Sequence, residues 1–399
     1  MQDAAGGSAG MAAGKFVFYA AMDGTNNDKD NLNLSGSSLQ TNVANLYNQA
    51  KAAEENNPNI VARYYPGIGT GGQTGNILNA GLFPTGPAVA TAEKAYADFR
   101  KEALDYLDTH PSATPSDIVL SIATFSRGNA SGVDLAWLVN DRGLVAADGT
   151  VIAPPGSIKI MGMVMMDPVH RFVDGNVIES SLPPNVVGPV LVVRALDESR
   201  SDFRVLDYGD DPRVVPIDSA GNHCDVGGGN DRNGLGALNL EGMTGYLQAM
   251  GVPIADVPAD KRFDPSQPVA VHSEVYQTAA NGNIVTNIET GESLLKWRVD
   301  EGPRQSVPVK PPGETHFPTD PRSVDAVNGS DLESEHAPPR PRAPWRHPAH
   351  RQRLGPAHAA ARRRPRRRRQ HRAAGRPGRG RCPLPDAAVR QCHFRGSGP

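Results

Sequence analysis

Short apolar runs alternate with segments of helical spacing through the first two thirds of the chain. The apolar runs fall at 16–22, 60–65, 117–125, 157–166 and 189–196. Between them, apolar side chains recur every three or four positions over 38–55, 88–107 and 128–140, the spacing that buries one face of a helix. Strands that are apolar throughout are typical of parallel sheets with helices on both faces. The pattern therefore predicts an α/β fold of three layers with a mostly parallel sheet.

The pattern changes after residue 255. Apolar residues on either side of Asn281-Gly282-Asn283 predict a β-hairpin. We predict a disordered N-terminus over 1–14, an α/β domain over 15–255, a small β-rich appendage over 256–306, and a Pro-rich linker with a disordered Arg-rich tail over 307–399. No run reaches the roughly 18 apolar residues of a membrane helix, and the first apolar run is too short for a signal peptide. We therefore expect the protein to stay in the cytoplasm of its producer unless a specialised system exports it.

Charge divides the chain into two unlike parts. Residues 336–399 hold 18 Arg, no Lys and one acid, a formal charge of +17, whereas residues 1–335 hold 23 basic and 42 acidic residues, a balance of −19. Three interpretations of the tail stay open: a basic arm for nucleic acid or anionic lipid, a disordered solvated segment, or GC-rich DNA translated out of frame. The acidic part, which carries the predicted fold, is not expected to bind nucleic acid.

The strongest chemical motif is Thr124-Phe125-Ser126-Arg127-Gly128, which lies between a predicted strand and a predicted helix. A serine on such a turn is lifted clear of the sheet, and the start of the following helix offers backbone N–H groups to an oxyanion. Ser126 is therefore the candidate nucleophile. Thr124 stands where the GxSxG pattern has glycine, and its side chain is expected to crowd the turn.

A serine nucleophile needs a base, and we predict His223 for that role. It lies in a glycine-rich stretch, 221–229, where the backbone is expected to pack closely against another part of the site. His170 is the rival base, because it closely follows a candidate acid. The remaining histidines before the tail are predicted in solvated or ordinary structural positions: His110, His272 and His316.

The acid of an α/β-hydrolase triad comes between the nucleophile and the base in sequence. Asp167 and Asp197 each follow a predicted strand in that interval, so either could orient the imidazole and stabilise its charged form. We prefer Asp167, because Asp197 has an alternative role in a buried ion pair with Arg200 or Arg204. Asp134, in the helix after the candidate serine, is predicted on the surface.

The first strand ends in Asp23-Gly24-Thr25-Asn26-Asn27-Asp28. The phosphatase signature DxDGT is excluded, because Ala21 stands where its nucleophilic aspartate would be. We predict a turn that carries N–H groups towards the serine, with Gly24 or Thr25 as one oxyanion donor and the Arg127 amide as the other. A turn that is only capped by aspartate is the alternative.

No cofactor and no metal are predicted. Gly67-Ile68-Gly69-Thr70-Gly71-Gly72 matches GxGxxG, but prolines and glycines follow where a dinucleotide-binding fold needs a helix. Ca²⁺ bound by Asp23, Asp28 or Asp225 is the alternative. Residues 76–87 are predicted as either a mobile apolar flap over the site or a packed loop.

Six segments occur in the order seen in one bacterial family: MDGTNND, YYPGIGTGG, FSRGNA, MDPV, ALDESRSDF and NHCDVGGGN. Over residues 16–230 the chain resembles the α/β-hydrolase family that contains the type VI secretion phospholipase effectors of the first class. The resemblance implies an α/β-hydrolase fold, a Ser-Asp-His triad and hydrolysis of glycerophospholipid esters, as in an antibacterial toxin. It places the nucleophile on Ser126 and the base on His223, and it matches both candidate acids.

The resemblance implies a serine hydrolase of the phospholipase A type that acts on membrane phospholipid after delivery to the periplasm of a target cell. An immunity protein and secretion machinery would be its partners. Two alternatives stay open: a carboxylesterase for soluble esters, and an inactive hydrolase scaffold that binds lipid or a partner, which the crowded turn at Thr124 favours. The negative charge of residues 1–335 suits an anionic membrane poorly, so lipid contact would depend on apolar side chains.

Overall fold

The first apolar run forms the middle of a parallel sheet. The computed structural model describes residues 14–71, 87–169, 181–272, 275–277, 279, 283–300 and 302–309. All side chains of β1 (Phe16–Met22) are buried, and the strand pairs in parallel with β2 (Ile60–Tyr65) on one side and β3 (Ile118–Phe125) on the other. A strand that is apolar on both faces is stable only where both faces are covered, which fixes its central position.

Eight further strands follow β3 in the described part of the chain, and four of them join the main sheet. The further strands are β4 (Leu144–Val145), β5 (Val151–Ala153), β6 (Lys159–Ile160), β7 (Met163–Met166), β8 (Val190–Ala195), β9 (Val205–Asp207), β10 (Val214–Ser219) and β11 (Ser306–Pro308). Within the described residues the main sheet has seven strands, in the order β10-β8-β7-β3-β1-β2 with β6 beside β3, and its neighbouring strands are parallel. The carboxyl ends of these strands therefore share one edge, where the residues that follow them meet.

Helices cover both faces of the sheet. They are α1 (Asn42–Glu54), α2 (Pro87–Thr109), α3 (Gly128–Arg142), α4 (His223–Gly227) and α5 (Gly234–Ala249). Alternate residues of β1 divide between two cores: Phe16, Phe18 and Met22 pack with α2 and α3, whereas Val17 and Tyr19 pack with α1 and α5. The predicted three-layer α/β fold with a mostly parallel sheet is confirmed. In the described part of the chain, no helix combines the length and apolar character that crossing a membrane requires.

Several elements differ from the sequence prediction, and three of the differences have a clear physical cause. The run at 157–166 is two strands, β6 and β7, and Gly162 between them has a φ of 71°. Strand β10 is absent from the prediction because it is a partly exposed edge strand that contains Pro216. Helix α5 is absent because its glycines weaken the helical signal. Those glycines are Gly234, Gly236, Gly242 and Gly245.

Asp134 was predicted on the surface, and that prediction is wrong. Its side chain is fully buried in α3. Helix α3 packs between α2 and the sheet, and polar residues on it, such as Asn129 and Ser131, are buried as well as the apolar ones. The spacing of apolar residues alone therefore did not show that Asp134 lies on a buried face of the helix.

The segment over 256–306 makes backbone contacts within itself and with the α/β domain. Within the segment, the amide of Val285 donates to the carbonyl of Gln277 at 2.9 Å, which pairs the residues before and after the predicted turn. Farther along, Val299 forms a bridge with Arg200, and β11 pairs in parallel with β9. Strand β11 crosses the boundary predicted at residue 307, so ordered structure extends into the predicted linker. Residues 1–13 and 310–399, which include the Arg-rich tail, lie outside the described residues.

Thr124 is accommodated by a glycine on the neighbouring helix. The threonine side chain is fully buried, and a Cβ built on Gly132 of α3 would lie 2.4 Å from the Thr124 Cγ2 atom. The methyl group that was expected to crowd the serine turn therefore occupies the space left by a missing side chain on α3. This contact lets the turn keep threonine where the GxSxG pattern has glycine.

We predict that Gly132→Ala destabilises the fold by about 1–3 kcal/mol, because the new methyl overlaps a stiff β-branched side chain. Adding Thr124→Ser, which removes Cγ2 and keeps the hydroxyl, should recover most of that loss in a double-mutant cycle measured by urea unfolding. Gly245→Ala is the matched control, since Gly245 lies on the exposed face of α5 and nothing lies within 4 Å of the new methyl; it should stabilise the fold by about 0.5–1 kcal/mol. Equal effects of the two alanine substitutions would contradict the packing explanation.

Candidate active site

Ser126 lies on a sharp turn between β3 and α3. Its φ is 56°, in the left-handed region that non-glycine residues rarely adopt. Its amide donates to the carbonyl of Met166 at 3.0 Å, so the turn is tied to the end of β7. A backbone held in this way projects the side chain of Ser126 away from both the strand and the helix. In the described part of the chain, the hydrogen bonds include none from the Ser126 hydroxyl.

Glycines allow the loop after β1 to pass beside the serine. A Cβ on Gly24 would lie 3.1 Å from the Ser126 Cβ and 2.8 Å from the Phe125 ring. On the other side, a Cβ on Gly128 would lie 2.5 Å from the carbonyl oxygen of Asp23. The Asp23-Gly24-Thr25 segment is therefore in direct contact with the serine turn.

Asp167 occupies the matching position on the next strand. Phe125 and Met166 are partners in the β3–β7 register, so the residues that follow them, Ser126 and Asp167, leave the sheet side by side. Asp167 also has a positive φ, of 41°, and its side chain is fully buried. Its amide donates to the carbonyl of Val193 at 2.7 Å, which ties this second turn to β8.

His223 is the first residue of α4 and contacts Asp167 directly. Its Nδ1 lies 2.5 Å from the Asp167 Oδ2, and the residue is 4% exposed. Asn222 caps the helix by accepting hydrogen bonds from the amides that follow. The imidazole packs against Phe125, the neighbour of the candidate serine, with ring centroids 4.5 Å apart. The structure thus brings Ser126, Asp167 and His223 to one edge of the sheet.

The charge of Asp167 is balanced by groups from three segments. Besides His223, the carboxylate accepts the amide of Ala195 at 2.9 Å and a two-pronged contact from Arg304. Burial alone would raise the pKa of the Asp167 carboxyl, but the hydrogen bond with His223 and the charge of Arg304 hold that pKa well below its usual range. Arg304 was missed by the sequence analysis, since no local pattern around it points to a site.

Asp197, the rival acid, has a different role. Its side chain accepts the amide of Gly221 at 2.7 Å, so it fixes the loop before His223. The ion pair predicted between Asp197 and Arg200 or Arg204 is not formed. Arg200 instead pairs with buried Glu198 at 2.6 Å, and Arg204 pairs with Asp300 at 3.0 Å.

The predicted oxyanion loop has one donor that is already used. The amide of Gly24 donates to the carboxylate of Asp23 at 2.7 Å, which removes it from the candidate oxyanion donors. Among the described residues, no acceptor is found for the Thr25 amide, and the Thr25 hydroxyl is also buried without a partner. Arg127 precedes the first residue of α3, where the sequence predicts the second donor.

Asp23 anchors this loop. Its carboxylate accepts hydrogen bonds from the hydroxyls of Thr41 and Tyr64, each at 2.7 Å, in addition to the Gly24 amide. Burial raises the pKa of the Asp23 carboxyl to about 6, although these hydrogen bonds oppose the change. These contacts are those of a structural carboxylate that orders the turn beside the serine.

Two sequence predictions cannot be placed. His170 and residues 76–86 of the predicted flap lie outside the described residues, whereas Pro87 begins α2. Among the described residues, no group of three or more His, Cys, Asp or Glu side chains is arranged to hold a metal ion. Asp225, one of the Ca²⁺ candidates, instead contacts the Nδ1 of His272 at 2.6 Å.

No family model and no curated protein match the chain. Among solved structures, the chain is similar to an uncharacterised protein from Pseudomonas aeruginosa at 18% identity and a TM-score of 0.43, covering 64% of this chain and 48% of that one. It is similar to the Tle1 effector bound to the VgrG spike of the type 6 secretion system at 17% identity and a TM-score of 0.38, covering 55% of this chain and 52% of that one. It is also similar to esterase PE8 at 13% identity and a TM-score of 0.28, covering 60% of this chain and 93% of that one. The chain spans about half the length of the first two proteins.

The raised pKa of Asp23 generates a prediction about stability. Because the folded pKa of about 6 exceeds the usual value of 3.8, the folded state binds more protons than the unfolded state between these pH values. The contribution of Asp23 to stability is therefore fully present below about pH 4 and is lost as the pH rises through 6. We expect the difference in free energy of unfolding between wild type and Asp23→Asn to fall by roughly 1–3 kcal/mol from pH 4 to pH 7 in urea titrations. A difference that rises with pH would contradict this assignment.

Proposed function

We propose that the protein is a serine ester hydrolase with Ser126 as nucleophile, His223 as base and Asp167 as acid. The observation that carries this proposal is the contact between the His223 Nδ1 and buried Asp167, at the edge of the sheet where Ser126 occupies a left-handed turn. Nucleophile, acid and base follow one another along the chain in the order typical of α/β-hydrolases.

The contacts assign a role to each side chain. With Nδ1–H donating to Asp167, the Nε2 of His223 is left as the basic atom. It would take the Ser126 proton as the oxygen attacks an ester carbonyl, and then give that proton to the leaving alcohol as the carbon–oxygen bond breaks. Water, activated by the same nitrogen, would release the acid from the acyl-enzyme. Asp167 stays ionised throughout and stabilises the imidazolium, in keeping with the low pKa of its carboxyl.

The oxyanion would rest on backbone donors from both turns that border the serine. The Thr25 amide is the donor offered by the loop after β1, because the Gly24 amide is held by Asp23. The Arg127 amide is the donor at the start of α3, which also directs its partial positive charge towards the oxyanion. The three hydrogen bonds to Asp23 would keep the first of these donors in place.

For the substrate, we propose acyl esters of glycerophospholipids. The support is the set of six ordered segments that resemble the phospholipase effector family, since four of them supply the serine, both candidate acids and the histidine. The same resemblance supports secretion machinery and an immunity protein as partners, and the periplasm of a target cell as the place of action.

Two other functions have specific support. A carboxylesterase for short soluble esters would use the same three residues, and comparison of a micellar phospholipid with a short soluble ester separates the two activities. A binding module without activity is favoured by the lack of a hydrogen bond from the Ser126 hydroxyl among the described residues. In free enzymes such bonds are often long and shorten only when substrate binds, so reactivity of the serine is the deciding property.

We predict that Ser126→Ala lowers kcat/KM for p-nitrophenyl butyrate by on the order of 10⁴-fold or more, because it removes the nucleophile. A fluorophosphonate probe should label wild type at Ser126 and should not label the variant. Hydrolysis of a total lipid extract, followed by mass spectrometry, should give free fatty acid and lysophospholipid with wild type only.

Ser131→Ala is the matched control, because it removes another buried serine hydroxyl from the adjoining helix α3. It should keep turnover within a few fold of wild type and should still be labelled. Undiminished ester hydrolysis by Ser126→Ala would exclude the proposed nucleophile. Folded wild type that resists the probe would favour the binding module.

A further inference from the structure

Arg304 contacts both oxygens of the Asp167 carboxylate. Its Nη1 donates to Oδ1, and its Nη2 donates to Oδ2 at 2.9 Å. The same guanidinium donates to the backbone carbonyls of Ala195 and Phe203, so its position is fixed from two further directions. Its side chain is 10% exposed, and the carboxylate is fully buried. A planar fork that meets both oxygens of a carboxylate fixes its rotation as well as its charge.

That rotation determines which oxygen faces the imidazole. Oδ2 receives both the His223 Nδ1 and one nitrogen of Arg304, whereas Oδ1 receives the Ala195 amide and the other nitrogen. With donors on each side, the carboxylate cannot turn without breaking charged hydrogen bonds. Arg304 therefore holds the oxygen that orients the base.

Other acidic groups near the imidazole already have partners. Glu198 accepts the His223 amide at 3.3 Å, but its charge is met by Arg200. Asp225, on the same short helix, contacts the Nδ1 of His272 at 2.6 Å. Burial would raise the pKa of the Glu198 carboxyl, but hydrogen bonds and charge from Arg200 hold it below its usual value. Arg304 is thus the cation that shares the charge of Asp167 with His223.

Arg304 reaches the site from a segment far along the chain. The segment is held against residues 199–207 by a bridge between Val299 and Arg200, by the ion pair of Arg204 with Asp300, and by the pairing of β11 with β9. Some 137 positions separate Arg304 from Asp167 in sequence. The contact therefore exists only when this segment is docked on the α/β domain.

We propose that Arg304 is a positioning residue for the candidate triad: it fixes the Asp167 carboxylate towards His223 and shares its charge, so that the site is complete only with the segment 297–309 docked. This inference rests on the proposed function and extends it to a residue outside the predicted catalytic domain. Without the guanidinium, the full negative charge of Asp167 would face the imidazole and favour its protonated, non-basic form.

The test is the pH profile of kcat/KM for p-nitrophenyl butyrate, measured on the full chain. Arg304→Gln should lower activity at neutral pH about 10–100-fold, as is typical when a group that orients an active residue is lost. Its acid limb should also move to higher pH by about one unit, since the imidazolium is favoured. Arg304→Lys, which keeps the charge and loses the fork, should move the limb less than Arg304→Gln does.

Arg298→Gln is the matched control, because it removes an exposed guanidinium from the same segment without touching Asp167. It should keep activity within a few fold and leave the acid limb in place. If Arg304→Gln gives the same limb as Arg298→Gln, the positioning role is wrong. Should Arg304→Gln fail to fold, Arg304→Ala with millimolar guanidinium gives a second test: recovery of activity supports the proposal, and no recovery by folded protein overturns it.

A measurement without turnover separates this proposal from the proposed function. If wild type hydrolyses no ester, or if Ser126→Ala keeps full activity, the hydrolase proposal fails. The role of Arg304 is then decided by the downfield NMR signal of the proton on the His223 Nδ1. A signal that moves or titrates at a different pH in Arg304→Gln, but not in Arg298→Gln, supports the charge-sharing contact. A signal that is unchanged in Arg304→Gln overturns it.

Discussion

The burial of one carboxylate determines how the candidate site of this protein is built. Asp167 is fully removed from solvent, and an isolated charge in that position would be unstable by several kcal/mol. It is stabilised by the imidazole of His223, the guanidinium of Arg304 and the amide of Ala195. These groups come from three separate segments. Because the buried charge is stable only when all of them contact it, Asp167 links α4, β8 and the C-terminal segment.

Backbone strain at the same edge depends on close packing around it. Ser126 and Asp167 both adopt left-handed conformations that cost about 1–3 kcal/mol each. Strands β3 and β7 hold these turns in register, and glycines provide the space: Gly24 beside the serine, and Gly227 against the ring of Phe125, where a Cβ would lie 2.1 Å away. Glycines thus let the loop after β1 and helix α4 approach the strained turns at Ser126 and Asp167.

The sequence predicted the parts of the site that have local signals. Ser126 was marked by a strand and a helix on either side, and Asp167 by its place after an apolar strand. Asp167 contacts His223 and Asp197 contacts Gly221, and this difference could not be predicted, since both aspartates follow strands. Neither composition nor spacing predicts that the Gly24 amide donates to the Asp23 carboxylate. They also do not predict the contact of Arg304 with Asp167, because more than a hundred residues separate the two.

The contacts of Arg304 cross a predicted domain boundary. A boundary at residue 255 follows from the change in apolar pattern, but several acid contacts cross it, among them Asp167 with Arg304, Asp225 with His272, and Arg204 with Asp300. Asp225 belongs to α4, the helix that begins with His223, so its contact with His272 ties that helix to a residue beyond the predicted boundary. Since Asp167 and the helix that carries His223 each contact a residue from beyond 255, a protein cut at that boundary would lose a partner of the candidate acid and a partner of the helix that carries the candidate base.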